Sequence, residues 1–129
     1  IEGKEMTILI EELATYLATQ LQLTVGSDIF VSHLPPAPDS AIAVLEAGGE
    51  TAPFTGVERR RIQVIVRASD YGAGSTRSAS VLSALNNKTG FISGRRISFS
   101  LAAGLPIYLG MEEGGLHSFS LNFLLTVKP

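Results

Sequence analysis

The chain has 129 residues, of which 45% are hydrophobic and only 17% charged, with a formal net charge of −2 and no cysteine. Such a composition excludes intrinsic disorder, a disulfide framework, a thiolate metal site and the basic footprint of a nucleic-acid binder. A mean hydropathy of +0.27, without any apolar run near the ~20 residues a membrane helix needs, points to a self-associating surface or to a β core apolar on both sides.

Ile1 to Glu5 read as residues preceding a natural start at Met6, and Met6 is followed by neither a basic region nor a small-residue cleavage site. Residues 6–129 are expected to form one domain, since no repeat or long linker divides them. Thr7 to Leu21 has helical periodicity: Ile10, Leu13, Leu17 and Leu21 recur every three or four residues, and Leu9 and Tyr16 widen the stripe. Thr7 is the expected N-cap, with Glu11 and Glu12 near the positive end of the helix, and Gly26 follows its end. A short strand is expected over Asp28 to His33 and a second over Ala41 to Glu46. Between them Pro35, Pro36 and Pro38 make a stiff extended connector, because each fixes φ and lacks a backbone donor.

The glycine pair Gly48-Gly49 is expected to end the second strand and open a loop to Gly56. Arg61 to Ala68 then alternates, with Ile62, Val64, Val66 and Ala68 on one face. Asp70 to Ser75 reads as a turn and Thr76 to Leu85 as a second helix, stopped by Asn86, Asn87 and Gly90. In the last third, Ile97, Phe99 and Leu101 alternate with polar residues. So do Phe119, Leu121, Phe123, Leu125 and Val127, after a strand around Ile107 to Leu109 and a turn at Glu112 to Gly115. Strands with one greasy and one small, polar face imply an α+β fold: a mostly antiparallel sheet with two helices packed on one face.

Few residues carry chemistry. Gly72-Ala73-Gly74-Ser75-Thr76, between a strand and a helix, could present backbone amides to a phosphate. Its spacing, however, is neither the dinucleotide fingerprint nor the P-loop, and a turn ending in a helix cap fits better. His33 and His117 are far apart in sequence, and no Gly-x-Ser-x-Gly elbow accompanies them; His117 reads as an exposed strand residue. Glu112 and Glu113, with Glu46, Glu50 and Asp39, lack calcium-loop spacing and read as solvated carboxylates. No catalytic, cofactor-binding or metal-binding residue is therefore expected. Arg59, Arg60 and Arg61 form one basic run that reads first as a solvated strand entrance; three phosphate contacts would give a salt slope of only about −2.7, and the alternative is a lumen-facing role or an intersubunit one against a neighbour's carboxylates. With Glu112 and Glu113 they make the candidate interface.

Several segments in order carry a resemblance: Ile10 to Leu17, Leu23 to Val31, Leu34 to Asp39 with Gly48-Gly49 downstream, Gln63 to Arg67 leading to Asp70-Tyr71, Pro106 to Gly115, and Phe119 to Phe123. Together they resemble the minor capsid or tail-terminator-like proteins of tailed bacteriophages and prophages. The glycine-rich stretch after Tyr71 and the absence of a basic residue in Glu113-Gly114-Gly115 depart from that pattern. The resemblance implies a non-enzymatic structural protein at the head–tail neck of the virion, assembled in the host cytoplasm. Its subunits would form a six-membered ring that caps the tail tube and docks to the head. The implied partners are further copies of the chain, tail-tube proteins and head-connector proteins, with neither a membrane nor a specific nucleic acid among them, although DNA would pass through the ring. A monomeric head-completion adaptor is the alternative, followed by a phosphate- or nucleotide-binding protein using Gly72 to Thr76.

Overall fold

The computed structural model describes residues 9–51, 58–92, 95–102, 104–112 and 114–128. Among these residues two helices, α1 (Leu9–Leu21) and α2 (Tyr71–Leu85), accompany seven strands: β1 (Ile29–Val31), β2 (Ala41–Thr51), β3 (Glu58–Ala68), β4 (Gly90–Ile92), β5 (Arg95–Ala102), β6 (Ile107–Met111) and β7 (His117–Lys128). All seven strands join one sheet in the order β1-β2-β3-β7-β5-β4, with β6 also pairing to β7. Only the β1–β2 pair among these named strands is parallel. This is the α+β, mostly antiparallel architecture that the alternation implies. Ile1 to Glu5 and the expected cap Thr7 lie outside the described residues.

The core follows from the two periodicities. Leu9, Ile10, Leu13, Ala14 and Leu17 of α1 meet Val81, Ala84 and Leu85 of α2 over one sheet face, built from Ile42 and Val44, Ile62, Val64 and Val66, and Phe119 to Val127 at alternate positions. Helix α1 ends in a Schellman-type cap: Gln22 takes φ 59° and the Leu23 amide donates to the Ala18 carbonyl at 2.8 Å, satisfying an orphan acceptor. The end is therefore set by Gln22 rather than by Gly26, which serves the following turn.

Two expected loops turn out to be regular structure. Strand β2 continues through Gly48-Gly49 to Thr51, with a register shift between Glu46 and Gly49. Gly48 at φ +90° supplies the left-handed residue of a bulge, so the pair bends the strand where a stop was expected; residues 52–56 of the expected loop lie outside the described residues. Helix α2 starts at Tyr71, five residues before Thr76. Asp70 is its N-cap, accepting from the Ala73 amide at 2.8 Å. Asp and Asn favour this role because a short side-chain oxygen reaches an amide in the first turn.

Gly74 shows why glycine sits inside that helix. A Cβ there would collide with the ring edge of Phe119, with Cδ1 at 3.0 Å, and would touch the Ala68 Cβ at 3.4 Å. Phe119 is buried and packed against Tyr71 and Tyr108, so its ring can yield only by displacing them. Alanine gains about 1 kcal/mol in helix propensity over glycine, but overpacking costs about 1–3 kcal/mol. Gly74→Ala is thus expected to lower the thermal midpoint measured by circular dichroism; a raised midpoint would contradict this packing.

Candidate assembly interface

The three arginines lie on the β2–β3 hairpin and do not act as one patch. Arg60 is held on the hairpin: its Nε and Nη2 donate to the two Glu46 carboxylate oxygens at 2.8 Å each, and Nη1 donates to Glu58 Oε1 at 2.9 Å. Burial alone would pull the guanidinium pKa down, but the hydrogen bonds to Glu46 and Glu58 outweigh it and hold it above its ordinary value. Arg59 and Arg61 point to the other face by strand alternation and are exposed. In register they oppose Glu50 and Thr126, and Leu124, respectively. Glu46 and Glu58 answer Arg60, which leaves Arg59 and Arg61 as the exposed cations of the run. The Arg60–Glu46 pair is half-exposed, and a double-mutant cycle is expected to give about 1 kcal/mol or less in stability.

Glu112 follows β6, and its carboxylate accepts from Ser118 Oγ at 2.8 Å. Its amide donates to the Leu116 carbonyl at 2.7 Å, closing the turn into β7; Glu113 lies outside the described residues. Strand β7 pairs with Met111 at His117 and with Arg59 and Arg61 at Thr126 and Leu124. The acidic turn and the arginines are therefore roughly 25–30 Å apart along one strand. The candidate interface residues do not form one site within a chain.

The histidines are separated as well. His33 follows β1, within 3.2 Å of the Val31 carbonyl. His117 opens β7, half-buried rather than exposed, sharing a 2.7 Å hydrogen bond with Tyr108 Oη. Ser118, its neighbour, points to the opposite sheet face and donates to Glu112, so the adjacent Ser and His are wired to different partners. Gly72 to Thr76 is helix, not a loop. The Ala73 amide is taken by Asp70 Oδ1 and the Gly74 amide by the Asp70 carbonyl, so two first-turn amides are already occupied and the Asp70 carboxylate stands where a phosphate would have to approach.

The strongest surface feature is apolar and was not singled out from the sequence. Leu105, Ile107, Leu109 and Met111 are exposed along β6 and its approach, Leu105 at 80%. Beside them Tyr71 and Tyr108 make an edge-to-face pair at 5.0 Å over Phe119. Strand β6 is an outer strand: it pairs with β7, and among the described residues no strand pairs with its other side. The signal was present in Leu105-Pro106-Ile107-Tyr108-Leu109-Gly110-Met111, a run apolar at both odd and even positions. A strand greasy on both faces must be covered twice or meet a partner.

Set beside known proteins, residues 16–129 match the family model described as "Bacteriophage tail terminator protein". The fold is similar to a chain of the solved structure titled "Virion of native gene transfer agent (GTA) particle", with a TM-score of 0.64 and 14% identity, covering 95% of this chain and 100% of that one. No curated protein matches the sequence.

Proposed function

The chain belongs to the bacteriophage tail terminator family, and from that membership we propose that this structural phage protein is a ring subunit at the head–tail neck. Copies close into a ring on the end of the tail tube, stop its growth and offer the head a docking face. The work is done by shape and interface, with no bond made or broken. The observation that carries this reading is the exposed apolar strip on β6 of a chain with only 17% charged residues, since patches of several hundred Å² on soluble chains mark interaction surfaces. A near-neutral chain whose main arginine is held by carboxylates also suits a channel through which DNA slides without sticking.

The test is removal of the chain from a tailed particle's assembly, followed by electron microscopy. Tails of uncontrolled length and heads without tails are the expected products. Tails of normal length joined to heads would overturn the proposal. Tails of normal length that fail to join heads would favour the adaptor role instead.

A further inference from the structure

Paired residues run straight across the sheet at one level. Tyr108 of β6 opposes Phe119 of β7, Phe119 opposes Val66 of β3, Val66 opposes Ile42 of β2, and Ile42 opposes Ile29 of β1. Beyond Ile29, Val25 adds one bridge to the same row. Strands β1 and β6 are thus opposite edges of one five-strand row, roughly 19 Å apart at the usual strand spacing. Among the described residues the large exposed apolar side chains are Tyr71, Leu105, Ile107, Tyr108, Leu109 and Met111 at the β6 edge, and Val25, 43% exposed, at the β1 edge. Most of this apolar surface lies at the β6 end of the row, with Val25 alone at the other end.

Both edges are hindered for strand addition. At β1 the Gly26 amide donates to the Ile29 carbonyl at 2.8 Å and the Ile29 amide to the Thr24 carbonyl at 3.2 Å, so the turn occupies the outward groups of Ile29. At β6 the register shifts between Tyr108 and Gly110, with Gly110 at φ +107°; such a bulge twists an edge away from pairing. What remains available is side-chain packing. Six large apolar side chains, each 41–80% exposed, gather at the β6 edge, whereas apolar residues scattered singly are the norm on a monomer's surface.

Resting on the ring reading above, we infer that the occupant of the β6 strip is a second copy of this chain, met head to tail. Leu105, Ile107, Leu109 and Met111 of one subunit pack against the Val25 turn and Phe30 of the next. A surface and its complement at opposite ends of one subunit make a heterologous contact, and heterologous contacts generate rings when the rotation closes. A contact of the β6 strip with itself would be isologous and stop at two copies.

The test is sedimentation velocity of the full chain and of two variants, Leu109→Asp and Val25→Asp, over a range of concentrations. Both positions are exposed, so folding should survive, and thermal circular dichroism checks it; Leu105→Asp serves as a second β6 variant. Each variant is expected to raise the assembly midpoint concentration by about a hundredfold, as loss of a well-packed apolar anchor does. Mixed in equal amounts, Leu109→Asp and Val25→Asp should stop at a species of two chains, because one intact contact remains between them. If Val25→Asp assembles normally while Leu109→Asp does not, the contact is isologous and the inference falls. If both variants assemble as the parent does, the ring lies elsewhere: the inference falls and the ring reading stands. A parent that stays a single chain at every concentration also overturns the self-contact, and the ring reading is then judged by the microscopy of tail ends.

Discussion

Phe123→Ala is expected to cost about 3–5 kcal/mol of stability and to lower the thermal midpoint by about 10–20 °C. Phe123 is among the largest fully buried side chains of the chain. It sits on β7, which is paired on both sides at this residue, with Ile62 of β3 and Ala102 of β5. Backbone locked between two ladders cannot collapse into the space a ring leaves, so the lost transfer energy and the cavity add. Domains of this size are stable by only about 5–15 kcal/mol, so the variant should be on the margin of folding. Urea unfolding monitored by circular dichroism checks it, and a cost below about 1 kcal/mol would mean that β7 is not the centre of the core.

Arg67→Ala is the second large effect. Arg67 is 5% exposed, and its guanidinium holds the proline connector: Nε donates to the Asp39 carbonyl at 3.2 Å and Nη2 to the Pro38 carbonyl. Hydrogen bonds from a charged donor are worth about 1.5–3 kcal/mol each, but the released carbonyls lie on exposed residues and can turn to water. The expected net cost is about 2–4 kcal/mol. Arg67→Lys should recover only part of it, because an ammonium cannot present the two-pronged fork. The distinguishing readout is local: hydrogen exchange at Ile42 and Ala43, next to the connector, should accelerate more in the alanine variant than exchange at Leu121. Equal acceleration at both places would show that Arg67 does not anchor the connector.

The elements that were legible were those with a clean period. Leu9 to Leu21 and Phe119 to Val127 could be placed because each repeats one face often enough to announce it, and the faces they announced are the buried ones. The misplaced element boundaries share a cause, which is glycine used for something other than a turn. Gly48-Gly49 looked like a stop, yet a bulge uses the same backbone freedom inside a strand. Gly72 and Gly74 looked like a flexible loop, yet Gly74 lets α2 approach Phe119 and Asp70 caps the helix early. Which use a glycine serves is decided by what packs against it, and that information is not local.

The surface was less legible than the core. Charged residues drew attention to Arg59, Arg60 and Arg61, but Glu46 lies fourteen positions upstream of Arg60 and meets it only because β2 and β3 pair. The exposure of Leu105 to Met111 is likewise a property of strand order. The run is apolar throughout, and only the topology shows that β6 is an edge strand rather than a central one. The Val25 edge could not be read at all without the register that sets it in the same row as Tyr108.

The most direct measurement is electron microscopy of the head-proximal end of a tail tube carrying this chain, at a resolution that traces the sheet. The account predicts one closed ring of copies on the tube end, each with its β6 strip against the Val25 turn of its neighbour. A tube end without a ring, or a ring whose neighbours meet only through the arginine hairpins, would contradict it.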